Sequence, residues 1–206
     1  MRIVAVTLLA STLAADFLPA RRVDGEPPPL PGPQLVGWVD ETVDLTIDVS
    51  GGVRDATLLR GPRSGVGSIS NTVSSWRFQP ASDEKGAVSS HVLVAALMRP
   101  PQSFDQPGLG EPSVDLAPSN EEVPYPTIAR RPRYPPNAQG SGVVVVELLI
   151  DVDGRVRRAT VVRGAAGFDQ EATLTAREWV FRPARRAGEA VTAYAYLVFG
   201  FRQPVV

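Results

Sequence analysis

The stretch VELLIDVDGRVRRATVVRG, residues Val146–Gly164, decides the fold, because the chain contains it a second time as VDLTIDVSGGVRDATLLRG, Val43–Gly61. Twelve of the nineteen positions are identical without a gap, at an offset of 103 residues. The same offset places Trp76 on Trp179. An internal repeat of this length predicts one structural unit built twice.

The later copy begins with a predicted β-hairpin. The β-branched run Val143–Val152 is typical of a strand, and Asp153-Gly154 is a tight-turn signal. The alternating segment Arg155–Arg163 then predicts the second strand. A further strand is expected at Val191–Phe201.

A helix is predicted between these strands. Apolar residues recur at helical spacing through Phe168–Trp179, and Asp169 is placed to accept from the first helical amides. The first copy repeats the apolar stripe but is rich in glycine, serine and asparagine, so its helix is predicted to be short or frayed. The fold class is therefore α+β: two tandem domains, each a three-stranded antiparallel sheet packed by a helix.

Changes in composition predict the domain boundaries. We assign residues 1–20 to a signal peptide or short anchor, 33–99 to a degenerate first domain, 100–124 to a linker and 125–206 to the second domain. The linker holds six prolines and five acidic residues with no basic ones, so it cannot bury a core.

The N-terminus has the pattern of a secretory signal. Arg2 precedes an apolar run, and small residues at Thr12/Ala14 and again at Ala20 offer cleavage positions. If this segment is a cleaved signal peptide, the mature protein is expected in the periplasm. If the segment is instead retained, the chain is anchored on the periplasmic side of the inner membrane, and only then does it contact a membrane.

Composition excludes several classes of function. The 206 residues include no cysteine and a single histidine, His91, which argues against thiolate sites, imidazole-based metal sites and histidine-centred catalysis. The net charge of −1 argues against nucleic acid as the main partner. We expect no catalytic residues, no metal and no cofactor.

Four smaller features are assigned to structure. Asp151–Gly154 predicts a hairpin turn rather than a calcium loop, because Val162 stands at the twelfth position where such a loop needs a glutamate. Trp76 and Trp179 are predicted core residues, and His91 a surface residue of a sheet. The arginines at 130, 131, 133, 185 and 186 are interpreted as solvated surface; Arg185 and Arg186 are also candidate contacts to an anionic partner.

The later copy resembles the C-terminal domain of TonB, the energy transducer of Gram-negative envelopes. The resemblance rests on Tyr-Pro-x-x-Ala at Tyr134–Ala138, the Asp-Gly-Arg-Val turn at Asp153–Val156, Phe168-Asp169, and Trp-x-Phe-x-Pro-Ala at Trp179–Ala184. It covers Tyr134–Arg202 well and Pro33–Arg99 faintly. The sequence departs from the family's pattern in a truncated first helix, and we expect neither the family's long Pro-rich spacer nor its uncleaved anchor, so the resemblance does not extend to force transduction.

The resemblance implies a binding strand. In TonB domains the last strand leaves its backbone edge unpaired and takes up an extended segment of an outer-membrane receptor. The corresponding residues here are Tyr194, Ala195, Tyr196, Leu197, Val198 and Phe199. The tyrosines either contact that segment or merely cover the open face of the sheet, and the sequence does not separate the two.

The sequence thus predicts a periplasmic protein-interaction module in envelope transport. Its expected partner is an outer-membrane TonB-dependent receptor or another envelope protein. The alternative is a structural or regulatory adaptor with no energy-transducing role.

Overall fold

The computed structural model describes residues 17–32, 38–61, 69–99 and 120–203. The signal-peptide prediction for residues 1–16 and the linker prediction for residues 100–119 lie outside these residues. We call residues 17–99 the first half and residues 120–203 the second half.

Both halves run through the same order of elements. The first half contains β1 (Arg21–Asp24), β2 (Val39–Ile47), β3 (Val53–Arg60), α1 (Ser70–Val73), β4 (Arg77–Gln79), β5 (Ala81–Asp83), β6 (Gly86–Val88) and β7 (Ser90–Met98). The second half contains β8 (Tyr125–Ile128), β9 (Ser141–Ile150), β10 (Val156–Arg163), α2 (Asp169–Arg177), β11 (Val180–Arg182), β12 (Ala184–Arg186), β13 (Glu189–Val191) and β14 (Ala193–Arg202). The α+β class is confirmed.

The hairpin turns are built alike in the two halves. Gly51 and Gly154 have φ values of 83° and 79°. Their carbonyl oxygens accept hydrogen bonds from the amides of Phe78 (2.9 Å) and Phe181 (2.8 Å), so each turn is tied to the short strand that follows the helix. In the second half the Asp151 carboxylate also accepts from the amides at 153 and 155. These bonds give the Asp151–Gly154 motif a structural role.

The helices differ as their compositions predict. α2 spans nine residues, whereas α1 is a single turn of four. The predicted capping role of Asp169 is wrong, because the helix opens at Phe168 without a side-chain cap. The Asp169 carboxylate instead accepts from the amide of Ala165 at 2.8 Å and fixes the loop before the helix.

One continuous sheet replaces the two separate sheets predicted. Its strand order is β10-β9-β14-β7-β2-β3. Each half contributes three antiparallel strands, and the last long strands of the halves, β14 and β7, pair in parallel. We call this parallel pair the seam.

Two cores lie on opposite faces of the sheet. Leu93, Ala95 and Leu97 of β7 belong to the core under α2, whereas the alternate residues Val94 and Ala96 belong to the core under α1. Since successive residues of a strand point to opposite faces, the two helices cover opposite sides. The halves are thus related by an approximate two-fold rotation about an axis along the seam.

The first half begins upstream of the predicted boundary at Pro33. Trp76 Nε1 donates to the carbonyl of Glu26 at 2.7 Å, as Trp179 Nε1 donates to that of Arg130 at 3.0 Å. The equivalence therefore includes the segments that precede the first long strand of each half, residues 17–32 and 120–140, which we call the lead-ins. Leu18 and Ser82 also exchange two backbone hydrogen bonds, so the segment from Phe17 to Ala20 that was predicted to be cleaved belongs to the fold.

Candidate protein-interaction site

The predicted binding strand, β14, has no open edge. Tyr194–Phe199 pair antiparallel with β9 on one side, and Ala195–Gly200 pair parallel with Leu93–Met98 of β7 on the other. The prediction of an unpaired rim at β14 is therefore wrong for this structure. The first half occupies the position that the resemblance assigned to a partner's segment.

The side chains of this strand are also covered. Ala195, Tyr196, Leu197, Val198 and Phe199 are buried, and only Tyr194 is half-buried. Tyr196 lies in the aromatic cluster of the first half, with its ring edge-on to Trp76 at 5.8 Å and to Phe78 at 6.1 Å. Tyr196 therefore does not lie on an open face of the sheet and is not available to a partner's segment. Its ring packs between the two halves.

A buried polar network reinforces this junction. Glu147 of β9, 2% exposed, accepts from Arg21 Nη2 at 2.9 Å and from the Tyr196 hydroxyl at 3.1 Å. That hydroxyl in turn accepts from the amide of Arg22 at 2.6 Å. Burial, reinforced by the Glu147 carboxylate, raises the pKa of Tyr196, so the phenol stays a donor. The first half's lead-in is thereby fastened across the second half's sheet.

The opposite face carries a counterpart network. Asp44, which the repeat aligns with Glu147, contacts His91 Nδ1 at 2.9 Å and accepts from Asn120 Nδ2 at 2.9 Å. Glu122 lies 4.0 Å from His91 Nε2. Since Asn120 and Glu122 precede β8, the second half's lead-in is fastened to the first half's sheet in the same manner.

His91 makes this second network sensitive to pH. Its hydrogen bond to Asp44 raises the pKa of His91 despite partial burial, and Glu122 adds a smaller effect in the same direction. A raised folded-state pKa contributes stability below the ordinary value near 6.5, and that contribution disappears as pH rises through the folded value. We expect the urea concentration at the unfolding midpoint to decrease as the pH is raised from about 6 to about 9. His91→Gln should remove that part of the decline, and an unchanged profile would contradict the assignment.

The arginine pair predicted to contact an anionic partner is engaged within the chain. Arg186 Nη2 lies 3.8 Å from Asp83 Oδ2, and its guanidinium lies 5.1 Å from the centre of the Phe17 ring. The Arg185 amide donates to the backbone carbonyl of Glu121 at 2.7 Å, and Arg185 Nη1 donates to the backbone carbonyl of Gly188 at 2.7 Å. These contacts attach the β12–β13 hairpin to its surroundings. A role in anion binding stays a prediction.

The outer strands β3 and β10 provide the edges of the sheet. Each pairs with only one neighbour among the described strands, β3 with β2 and β10 with β9. An edge strand presents a row of unpaired amides and carbonyls that an extended segment can join. Both strands contain bulges and charged residues, the usual protection against uncontrolled pairing.

Comparison with known families bears on the second half. Residues 122–202 match the family model of the Gram-negative bacterial TonB protein C-terminal. Over this segment the chain is similar to TonB C-terminal domains. The match begins just before β8 and ends on the last residue of β14, so the domain contains its lead-in, hairpin, helix and final strand. No curated protein matches the chain significantly.

The family is one of Gram-negative envelope proteins. TonB C-terminal domains are transport-associated and non-enzymatic, and they interact with envelope proteins such as outer-membrane receptors. Within the part of the chain that the structure describes, no helix has the length and apolar character needed to cross a membrane.

Sequence reasoning missed the networks that hold the second half against the first half. Glu147 interrupts the apolar run of β9, and Asp44 stands at the same place in the first copy, VEL and VDL. A charged residue repeated inside a buried run is a signal for a paired charge. Their partners, Arg21 and Asn120, are far away in sequence and carry no comparable signal.

Proposed function

We propose that the chain is a protein-interaction module in envelope transport. It binds an extended segment of an outer-membrane receptor or another envelope protein by strand addition at an outer strand of its sheet. The observation that carries the proposal is a segment similar to TonB C-terminal domains in a sheet that ends in strands with one unpaired edge. Main-chain hydrogen bonding to such an edge supplies affinity, and neighbouring side chains supply specificity.

An outer strand suits this role better than β14. Parting the seam would withdraw Leu93, Ala95 and Leu97 of β7 from the core under α2, and Tyr196 and Val198 of β14 from the core under α1. Exposing a large apolar side chain costs about 1.5–3 kcal/mol. A single added strand cannot offset that loss. The seam therefore stays closed while the partner binds.

Export is part of the proposal. A leader cleaved after Ala14 would deliver the chain to the periplasm and leave the Leu18–Ser82 bridge intact. Cleavage after Ala20 would remove that bridge. The position after Ala14 is accordingly the one we propose.

A second candidate function is favoured by the closed seam. In the TonB-type mechanism implied by the resemblance, the last strand carries the receptor's segment, and here β7 occupies its edge. A chain of this kind acts as a structural or regulatory adaptor without transducing energy. The two candidates differ in whether an outer edge gains a strand.

A locked seam tests the proposal. The chain has no cysteine, so Ala96→Cys/Val198→Cys, a pair that faces each other across the seam, introduces the only thiols. We expect the oxidised variant and its reduced control to capture the same envelope protein, with new amide-exchange protection confined to β3 or β10. Capture by the reduced form alone would show that β14 is the binding edge. Capture without protection at either outer strand would favour the adaptor.

A further inference from the structure

Resting on the strand-addition function proposed above, we infer that β10 is the receiving edge and that the segment it receives is acidic. Three features of β10 carry this inference: its unpaired edge, its charge, and its contrast with β3 in the same molecule.

The edge of β10 is long enough to hold a segment. The strand has eight residues, and its pairing with β9 extends from Val156 to Arg163. Ala159 is buried towards α2, while Thr160 is exposed on the other face. The loop that follows, residues 164–168, leads directly into α2. An isolated bridge between Arg155 and Val180 places β11 beside the start of β10, and from Val156 onward β10 pairs with no described strand other than β9. An incoming strand would therefore meet free backbone groups along most of this length.

The charge of this edge is of one sign. Arg155, Arg157, Arg158 and Arg163 fall on or next to β10, and residues 155–163 contain no acidic side chain. The Arg157 and Arg163 side chains are 73% and 58% exposed. Carboxylates spaced along an extended segment would complement this row, and a basic segment would be repelled.

Two of these arginines make ion pairs within the chain. Arg163 Nη2 lies 3.7 Å from Glu26 Oε2, whose side chain is 81% exposed. A solvent-exposed pair of this kind contributes little, so a partner's carboxylate can replace it at small cost. Arg157 Nε lies 3.2 Å from Asp151 Oδ2, and Asp151 is only 14% exposed. The Arg157 side chain is itself 73% exposed, so it can contact a partner's carboxylate while it keeps this pair.

The corresponding strand of the first half lacks this charge pattern. β3 has Asp55 at the position of Arg158, and Thr57 Oγ1 donates to the Asp55 carboxylate at 2.6 Å. Arg60, the counterpart of Arg163, pairs with Asp40, and its side chain is only 9% exposed. The duplication thus provides a second edge of the same backbone design with less exposed positive charge.

The Arg158 side chain extends the cationic surface onto the adjoining face. Its Nη2 donates to the Tyr194 hydroxyl at 3.2 Å, and the guanidinium of Arg21 lies 5.5 Å from the centre of the same ring. Side chains of an added strand that point to this face would meet Arg158 first. An acidic residue there is better accommodated than an apolar one.

Binding of two labelled peptides tests the inference. Each probe is about ten residues long, matched to the strand, and alternates valine or threonine with glutamate in one probe and lysine in the other. Fluorescence anisotropy with the full chain is expected to show binding of the glutamate probe only, weakening as salt is raised. Equal binding of both probes, or of neither, would overturn the inference.

Matched variants locate the binding. Arg157→Glu should weaken binding of the glutamate probe at least tenfold. Arg54→Glu on β3 should change it less than twofold. The urea midpoints of both variants verify folding, since the substituted side chains are exposed. Equal losses in the two variants would refute β10 as the specific edge.

Proline substitutions separate edge pairing from simple charge attraction. Successive amides of a strand point to opposite edges, so Thr160→Pro and Val161→Pro remove one outward and one inward donor. The outward variant should stay folded, keep its charge and lose the probe. If both variants unfold, exchange protection of β10 amides in the probe-bound wild type decides, and its absence contradicts the inference. Protection of β3 by an envelope partner, without binding of the acidic probe, would overturn the inference and leave the proposed function standing.

Discussion

Gly154→Ala is expected to lower the free energy of unfolding by roughly 3 kcal/mol or more, read as a lower urea midpoint. Position 154 has a φ of 79°, which costs a residue with a Cβ about 1–2 kcal/mol. A Cβ there would also lie 1.8 Å from the carbonyl oxygen of Phe181. Relieving that overlap requires a backbone shift, and overpacking of this kind adds about 1–3 kcal/mol.

Gly188 is the matched control for this substitution. Its φ is 83°, but no atom lies within 4 Å of the position that a Cβ would take. Gly188→Ala should therefore cost only about 1–2 kcal/mol, the conformational part alone. Gly51→Ala, with the Phe78 carbonyl at 1.8 Å, should behave like Gly154→Ala. Equal effects at 154 and 188 would show that the close approach of Phe181 has no role.

Trp76→Ala should lower stability by about 3–5 kcal/mol and loosen the second half as well as the first. Trp76 is fully buried and carries Arg22 over its ring at 4.6 Å. Its edge-on contact with Tyr196 reaches across the seam. Since α1 is a single turn, this ring contributes much of the layer over that face. We expect faster amide exchange in β14 although the substitution lies in the other half.

Trp38→Ala is the comparison that separates seam contacts from loss of an aromatic ring. Trp38 is only half-buried, and its described ring contact is with Arg131 at 5.2 Å. A much smaller loss of stability is expected, with β14 exchange unchanged. If Trp76→Ala accelerates exchange only within the first half, the two cores are not coupled through the sheet.

Local structure was largely predictable from the sequence. Four predictions are confirmed: the hairpin turn, the α2 helix, the short α1 helix, and the burial of Trp76 and Trp179. Each depends on residues close together in the chain. Residue spacing and turn chemistry are local signals. The predicted cap at Asp169 is an exception among these local features, because the Asp169 carboxylate accepts from the amide of Ala165 and not from a helical amide.

The seam was not predicted, because strand order is a long-range property. The composition of β7 and β14 does indicate strands inside a sheet. HVLVAALM and AYAYLVFGF have almost no alternation of polar and apolar residues, the pattern of strands buried on both faces in parallel pairing. An edge strand would have kept a polar face. Apart from its two tyrosines, β14 from Ala193 to Phe201 contains only apolar residues and one glycine.

The parallel seam also changes what dilution can do to this molecule. Two separate domains that met along such strands would part at low concentration, whereas two on one chain meet at an effective concentration set by the tether. The first half is thus always present beside its sister. The first half can therefore have a helix of a single turn, because its stability depends on the shared sheet and not on its own core alone. After the duplication, one copy thus completes the sheet of the other.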